Sequence, residues 1–535
     1  MNHRDLQAKQ QIDALHRGET ELAVNLALAS QSGSFVADTY SFNSSGILID
    51  VGNHQANQEL IRQGMQITEA FLADASVTLE YQVRARYNLS NGFAALAFVS
   101  ERNGDHQGRL SNWRLQRDEL QKLVLDRKSI PHDLVTEVLT NFGNVMDELG
   151  RTVEAIDLWN EVLALDPDHP VALGSKGQAY LRLLGIQPRH NLRLVEGARV
   201  SLEHCLSLPD RIGRHADFGA MARYEKSYAD VERIAIQLAG QLNEFLVRVR
   251  KLRIQHEGWN RDSTHSAWAQ SGLLLTVNPF PEWCPDTLKD DLYFDGLGTE
   301  ANGSGERRFT ELAHTLNQIK EDFSLARYLL TMATQPEAVA GVSSVTQFAD
   351  TLDYADFGLS SAMIKASIRT SVDVFDKIAN FMNRYFELGI PDRRVSFASV
   401  WYENGITDAK KRVESPILAQ LLQKSGWLRG IRDVAENLNF YPAPSKDARN
   451  KATHDYLIIE NAVRPSIVLH GKVISVDAHE YARLMLMMVK GAVVNLVALV
   501  QREEGLKKVS AGKPGIPIEF RYAKGISDEL TGENF

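Results

Sequence analysis

The segment Pro444-Ser445-Lys446-Asp447-Ala448-Arg449-Asn450-Lys451-Ala452-Thr453-His454-Asp455-Tyr456 holds the densest set of side chains able to do chemistry. If a helix starts at Pro444 and Ser445, then Asp447, Asn450 and His454 fall at i, i+3 and i+7 and share one polar face. Arg449 lies ~140° round from His454 on a helical wheel. Its long side chain, near the first turn, can still curl back toward that face. A helix start flanked by an arginine and a histidine suits a phosphate, because unpaired backbone N–H groups and a fork of donors meet one anion. The spacing alone is weak, since Arg127/His132 and Arg199/His204 repeat it. The first of these copies contains Pro131, which breaks helical geometry, and the second runs into Cys205-Leu206. A plainer reading stays open: an Arg–Asp pair that caps a helix, with the histidine packed in a core.

Other chemistry finds little support. No HExxH, paired CxxC, nucleophile elbow or kinase motif occurs. Gly296 and Gly298 lack the third glycine and the preceding strand of a dinucleotide fingerprint, and no Gly-Lys-Ser/Thr follows. The 15 histidines do not cluster with carboxylates at ligand spacing, so no metal or cofactor is expected. Two cysteines cannot build a disulfide framework, and Cys284, beside Trp283 with no neighbouring base, reads as packed rather than reactive. The net charge of -9 excludes a uniformly basic nucleic-acid coat. The acid excess sits in the front of the chain, and the back is close to neutral. The polar N-terminus has no apolar signal core, which predicts a cytoplasmic protein. The longest apolar run, Leu484 to Val500, is interrupted by Lys490 and Asn495, which predicts a buried helix rather than a membrane span.

The elements that must position the motif are helical. Only 16 prolines punctuate 535 residues, and apolar side chains recur at three- and four-residue spacing. The clearest unit runs from Leu139 to Pro170. There Phe142, Gly143, Met146, Gly150, Ala155, Trp159, Val162 and Pro167 take the positions of a tetratricopeptide (TPR) repeat. A looser copy follows in Leu173, Gly177, Tyr180, Ala198 and Leu202, and Tyr87 to Phe93 resembles the first helix of an earlier one. One such unit cannot bury its own apolar face, so a TPR-like helical solenoid is expected over residues 1–270, with a protein or peptide regulator as its partner. Residues 271–308, with little helical pattern and many glycines, read as a linker. Residues 309–505 predict a four-helix bundle with helices near 309–333, 355–388, 446–462 and 477–504. Asp477 and Glu480 have capping-box spacing at the start of the last helix. Ser466 to Ser475 alternates around His470-Gly471, which predicts a small hairpin. Residues 506–535 form a tail. The fold class is all-α.

The motif and the four-helix pattern around it resemble the HEPN family (higher eukaryote and prokaryote nucleotide-binding domains) over roughly residues 305–505. Its ribonuclease members carry Arg-polar-x3-His, matched by Arg449-Asn450-Lys-Ala-Thr-His454. Glu321 to Leu330, Ser371 to Phe386 and Val395 to Tyr402 look like the branch that follows N-terminal TPR repeats in bacterial antiphage defence, of the abortive-infection toxin type. Members with Arg-x4-His-x-Tyr are also similar, and in those a partner nucleotidyltransferase modifies the tyrosine, here Tyr456. With this resemblance, the helix-start context and Asn450, the balance at the motif shifts from a packed histidine to a catalytic site.

The resemblance implies metal-independent RNA cleavage. His454 would act as general base on a ribose 2'-hydroxyl or as general acid toward the leaving oxygen. Arg449 would neutralise charge developing on the phosphorus oxygens, and Asn450 would orient the imidazole or the phosphate. Products would end in a 2',3'-cyclic phosphate and a 5'-hydroxyl. The family pairs two bundles around one cleft, so a homodimer is implied, with tRNA or mRNA as candidate substrates. The insert before the third helix gathers Lys410, Lys411, Arg412, Lys424, Arg429 and Arg432 around Trp427. Cations with an interleaved aromatic suit single-stranded RNA, although a solvated helix face explains them as well. Asp376 and Lys377, on the second helix, are candidates to face that cleft, with a surface ion pair as the plainer reading. The rival reading of the whole chain is a non-enzymatic adaptor that dimerises and binds RNA, nucleotide or a protein.

Overall fold

The computed structural model describes residues 3–30, 36–186, 191–211, 219–255, 268, 272–280, 290, 292–294, 304–335, 345–347, 355–438, 458–461, 465–469 and 472–511. The chain is helical, as its periodicity predicts, with one small sheet among the described residues. The front half runs α1 (His3–His16), α2 (Thr20–Ala29), α3 (Thr39–His54), α4 (Gln58–Ala73), α5 (Leu79–Arg102), α6 (His106–Leu125), α7 (Val135–Glu148), α8 (Thr152–Leu165), α9 (Pro170–Arg182), α10 (Asn191–Leu206), α11 (Ala220–Gln237) and α12 (Ala239–Gln255). Neighbours in sequence pack as helical hairpins: α3 on α4, α5 on α6, α7 on α8 and α9 on α10. Short side-chain caps start several of them. Asp38 Oδ1 accepts from the Ser41 N–H at the head of α3, and Asn57 and Asp105 do the same for α4 and α6.

The spacing that marks the α7–α8 hairpin has a packing reason. Trp159 is wholly buried, and its indole lies against Gly143, where an added Cβ would meet Nε1 at 2.5 Å. Gly177 gives Leu202 the same close approach between α9 and α10, at 2.6 Å. Gly150, in the turn between α7 and α8, has φ +87°, a conformation that side chains bearing a Cβ rarely adopt. It also faces the backbone of Gly426 and Gly430 in the back half, so two main chains touch there.

The back half holds α13 (Ser304–Ala333), α14 (Leu359–Tyr385), α15 (Pro416–Lys424), α16 (Gly426–Asn437) and α17 (Ala478–Ala511). Its strands are β1 (Ala355–Asp356), β2 (Ile458–Asn461), β3 (Pro465–Leu469) and β4 (Lys472–Asp477), in one antiparallel sheet of order β1-β2-β3-β4. Helices α13 and α14 pack along each other, and α17 lies against α13, α14, α16 and α8. The anticipated hairpin around His470-Gly471 is present as β3–β4, with Leu469 opposite Lys472.

Two expectations need correction. The helix expected at 446–462 does not reach its end, because Ile458–Asn461 is a strand paired to both β1 and β3. The β-branched Ile458-Ile459 pair favours an extended pleat. Residues 446–457 lie outside the described residues, and the helix that precedes them is α16. The segment read as a linker also differs. Leu273, Leu274, Leu275, Val277, Leu292 and Phe294 are buried, and the Asp290 carboxylate accepts from the Leu275 N–H at 2.7 Å and from Arg327 at 2.6 Å. An apolar stretch without periodicity packs against helices and needs none of its own.

Helix α17 is long and apolar enough over Ala478–Leu506 to cross a membrane, yet 89% of its most apolar window is buried inside the protein. Both polar interruptions have partners. Lys490 Nζ donates to the Gly272 carbonyl at 2.6 Å, and Asn495 Nδ2 donates to the Gly150 carbonyl at 2.9 Å. These residues are needed inside because they satisfy backbone carbonyls that would otherwise be buried unpaired.

Candidate active site and its setting

Arg449, Asn450, His454 and Tyr456 lie outside the described residues, as does Cys284. The structure does show what flanks the motif. On its N-terminal side α16 ends at Asn437. On its C-terminal side β2 begins at Ile458, two residues after Tyr456, and is held between β1 and β3. β1 leads into the start of α14, and β4 leads directly into the start of α17. The sheet therefore lies at the N-terminal ends of two bundle helices, where unpaired N–H groups gather.

The two chance copies of the Arg–His spacing are engaged elsewhere. Arg127 pairs with Glu161. Arg199 is clamped by Glu196 and Glu203, while His204 Nε2 lies 2.9 Å from Asp168 Oδ1. Cys205, next in the chain, is buried with its thiol on the Pro170 carbonyl, and burial pushes that thiol up to about 12. Asp376 and Lys377 do not pair with each other, contrary to expectation. Adjacent residues on a helix point apart, so Lys377 reaches Asp322 on α13, and Asp376 Oδ1 accepts from the Phe397 N–H at 2.9 Å.

The cationic insert divides into two groups. Lys410, Lys411 and Arg412 are exposed, and the Arg412 guanidinium lies 5.3 Å from the Tyr402 ring centre. Arg432 turns inward instead. It sits over Trp401 and Tyr402 and donates to Glu436 at 2.8 Å, so it is structural. Trp427 is half-buried against the core, and Arg429 donates to the Leu422 carbonyl, its pKa lowered by burial.

A cluster that motif reading missed joins the two halves. Asp433 on α16 is 1% exposed and takes Arg117 of α6 on one oxygen and Arg151 Nη1, at 3.2 Å, on the other. Arg151 also grips Glu154 through Nε at 2.9 Å and donates to Asn437 Oδ1 at 2.8 Å. Asn437 Nδ2 in turn donates to Gln121 Oε1 at 2.7 Å. Burial pushes the Glu154 carboxyl up, against the pull of Arg151. Arg151 is fixed by its place in the α7–α8 turn, one residue after the Gly150 backbone contact. No local pattern could have paired it with a partner 282 positions away.

Comparison with curated proteins and with solved structures gives no match. One family model, described as LA2681-like HEPN, matches residues 304–503. That span opens at the first residue of α13, contains α14, α16, the whole sheet and the Arg449–His454 motif, and closes within α17. The back part of this chain thus carries an LA2681-like HEPN domain, a kind of domain associated with nuclease or other RNA-related roles.

Proposed function

We propose that the protein is a metal-independent endoribonuclease whose HEPN domain cuts RNA by attack of a ribose 2'-hydroxyl. One observation carries the reading: the HEPN match encloses Arg449-Asn450-x3-His454, the pattern of the cleaving members. His454 removes the 2'-hydroxyl proton or protonates the departing 5' oxygen, which its ordinary pKa near 6.5 allows. The 2' oxygen bonds to phosphorus, the bond to the 5' oxygen breaks, and a 2',3'-cyclic phosphate and a 5'-hydroxyl remain. Arg449 stabilises the charge that builds on the non-bridging oxygens, and Asn450 orients the imidazole or the phosphate. Lys410, Lys411 and Arg412, exposed beside Tyr402, supply a surface for the RNA backbone. Two copies of the domain face each other across the cleft. The front array is of the TPR type and takes a protein or peptide regulator. The role is that of a cytoplasmic effector in antiphage defence, restrained until triggered, with Tyr456 as a modification point.

The test uses purified wild type, Arg449→Ala and His454→Ala with total RNA in EDTA. Cleavage by wild type alone is expected, with each variant slower by roughly 10²–10⁴-fold. Equal cleavage by all three would mean a contaminant, and wild-type activity abolished by EDTA would overturn the mechanism. The second reading, a non-cutting adaptor, is favoured by the extensive buried seam between the halves, which suits a scaffold as well. It predicts RNA retention without new ends.

A further inference from the structure

We infer that Arg412 and Tyr402 form a stacking step that takes one base of a single-stranded nucleic acid, with Lys410 and Lys411 holding the adjoining phosphates. The inference rests on the RNA-binding reading above and deepens it, since that reading gave these cations to the backbone alone.

Four side chains alternate ring and cation outward from the core. The Arg432 guanidinium lies over Trp401, 5.0 Å from the ring centre, and over Tyr402 at 5.2 Å. The Arg412 guanidinium lies over Tyr402 at 5.3 Å. Trp401 is 2% exposed and Arg432 9%, Tyr402 is half-buried, and Arg412 is exposed. The series therefore reaches the surface on a cation rather than on a ring. A planar guanidinium stacks on aromatic faces, and the side of Arg412 turned away from the tyrosine is open to solvent. A flat π system brought by a ligand continues the alternation there. Unstacked bases of a single strand present such a plane beside a phosphate. An acidic protein segment would satisfy the cations but brings no comparable ring.

The loop that carries Arg412 is pinned, although its side chains are exposed. Tyr402 pairs with Glu414 in an antiparallel bridge, and the Glu403 N–H donates to the Val413 carbonyl at 2.8 Å. Arg412 stands two residues before Glu414, so it shares the face of Tyr402 at the diagonal position that a long side chain spans. Between the two strands, the Lys411 and Arg412 N–H groups donate to the Asp408 carbonyl at 2.9 and 2.8 Å. The Lys410 N–H donates to Asp408 Oδ1 at 2.9 Å. The chain enters this loop through Asn404 and Gly405, at φ +54° and +66°. A segment fixed in this way has little left to order when a ligand arrives.

The distribution of charge agrees. Arg432 is taken by Glu436 at 2.8 Å and by Glu414 at 3.6 Å. Lys410, Lys411 and Arg412 belong to no ion pair among the described residues. Three consecutive unpaired cations repel one another, and a phosphate strand relieves that repulsion while releasing its counterions.

Fluorescence anisotropy on the full chain tests this with two labelled deoxyribose decamers, one of adenine nucleotides and one abasic throughout. Both keep the phosphates, and neither has the 2'-hydroxyl that the cleavage reading requires. The adenine strand is expected to bind roughly tenfold tighter than the abasic one. Arg412→Lys keeps the charge but loses the plane, so it should weaken the adenine strand about fivefold and leave the abasic strand unchanged. Lys410→Ala with Lys411→Ala should weaken both strands equally and flatten their salt dependence. Equal binding of the two strands, binding of neither, or an Arg412→Lys effect shared by both would overturn the inference. So would displacement of the adenine strand by an oligoglutamate decapeptide as readily as by the unlabelled strand, which would make the loop a general polyanion patch. Cleavage of ribose RNA alongside base-indifferent binding would sink the stacking step alone. Base-dependent binding without cleavage would uphold it while the ribonuclease reading failed.

Discussion

Replacing Asp433 with asparagine removes the one anion that two buried guanidiniums from the front half share. The side chains of Asp433, Arg117 and Arg151 are each no more than 4% exposed, so water cannot take over the lost interaction. Breaking a buried ion pair by deleting one partner costs about 3–5 kcal/mol. Two features place this site at the lower end. Arg117 keeps Asp118 at 2.6 Å, and Arg151 keeps Glu154 and Asn437. The asparagine amide would also turn a donor toward one of the guanidiniums, which cancels part of what the remaining oxygen offers. The expected loss is about 3 kcal/mol, read from urea unfolding followed by far-UV circular dichroism. A double-mutant cycle with Arg151→Gln should give a coupling of about 2 kcal/mol, because the two residues share one network. A loss under about 1 kcal/mol, the range of an exposed pair, would refute the buried seam between the halves.

Asp157, facing Lys490 and Arg483 between α8 and α17, is pushed up to about 6 by burial, against the pull of both cations. Its folded pKa thus lies above the unfolded value, so its contribution is full below pH ~4 and lost as pH rises through about 6. Asp157→Asn, which mimics the protonated acid, should therefore match wild type at pH 4 and exceed it by about 2 kcal/mol at pH 7.5; the opposite pH trend in paired urea titrations would contradict this. Gly143→Ala forces a methyl group against the Trp159 indole and should cost about 1–3 kcal/mol, whereas Gly240→Ala, with open space around it, should cost nothing measurable. Arg412→Ala, which removes an exposed cation stacked on Tyr402, should weaken binding of single-stranded RNA a fewfold at low salt and leave thermal unfolding unchanged; a lowered unfolding temperature would make the residue structural.

Local geometry was legible in the sequence and distant pairing was not. The Leu139–Pro170 hairpin could be read because Gly143, Ala155 and Trp159 must alternate in size wherever two helices approach closely, and their spacing lies within one short stretch. The β3–β4 hairpin could be read for a similar reason, since strand alternation and a His-Gly turn are local signals. Lys490 and Asn495 correctly marked α17 as buried rather than membrane-spanning in this structure, although their partners at Gly272 and Gly150 could not be named. The end of the 446–462 helix differs because Ile458-Ile459 is a β-branched pair that a sheet claims. Residues 273–277, 292 and 294 read as linker because they have no periodicity, and their burial involves Arg327 of a helix that follows them. The Asp433 cluster is the clearest limit. Arg117 lies 316 positions from Asp433, and nothing near either residue announces the other.

The family pattern at Arg449-Asn450-x3-His454 makes the 2'-hydroxyl the centre of the account, and end-group analysis addresses it directly. An RNA oligonucleotide and the same oligonucleotide with 2'-deoxy substitution throughout are incubated with the protein in EDTA, and the products are identified by mass spectrometry. The account predicts that only the ribose form is cut, leaving a 2',3'-cyclic phosphate and a 5'-hydroxyl, and that His454→Ala yields neither product. Cleavage of the deoxy form, or 5'-phosphate ends on the RNA, would contradict it.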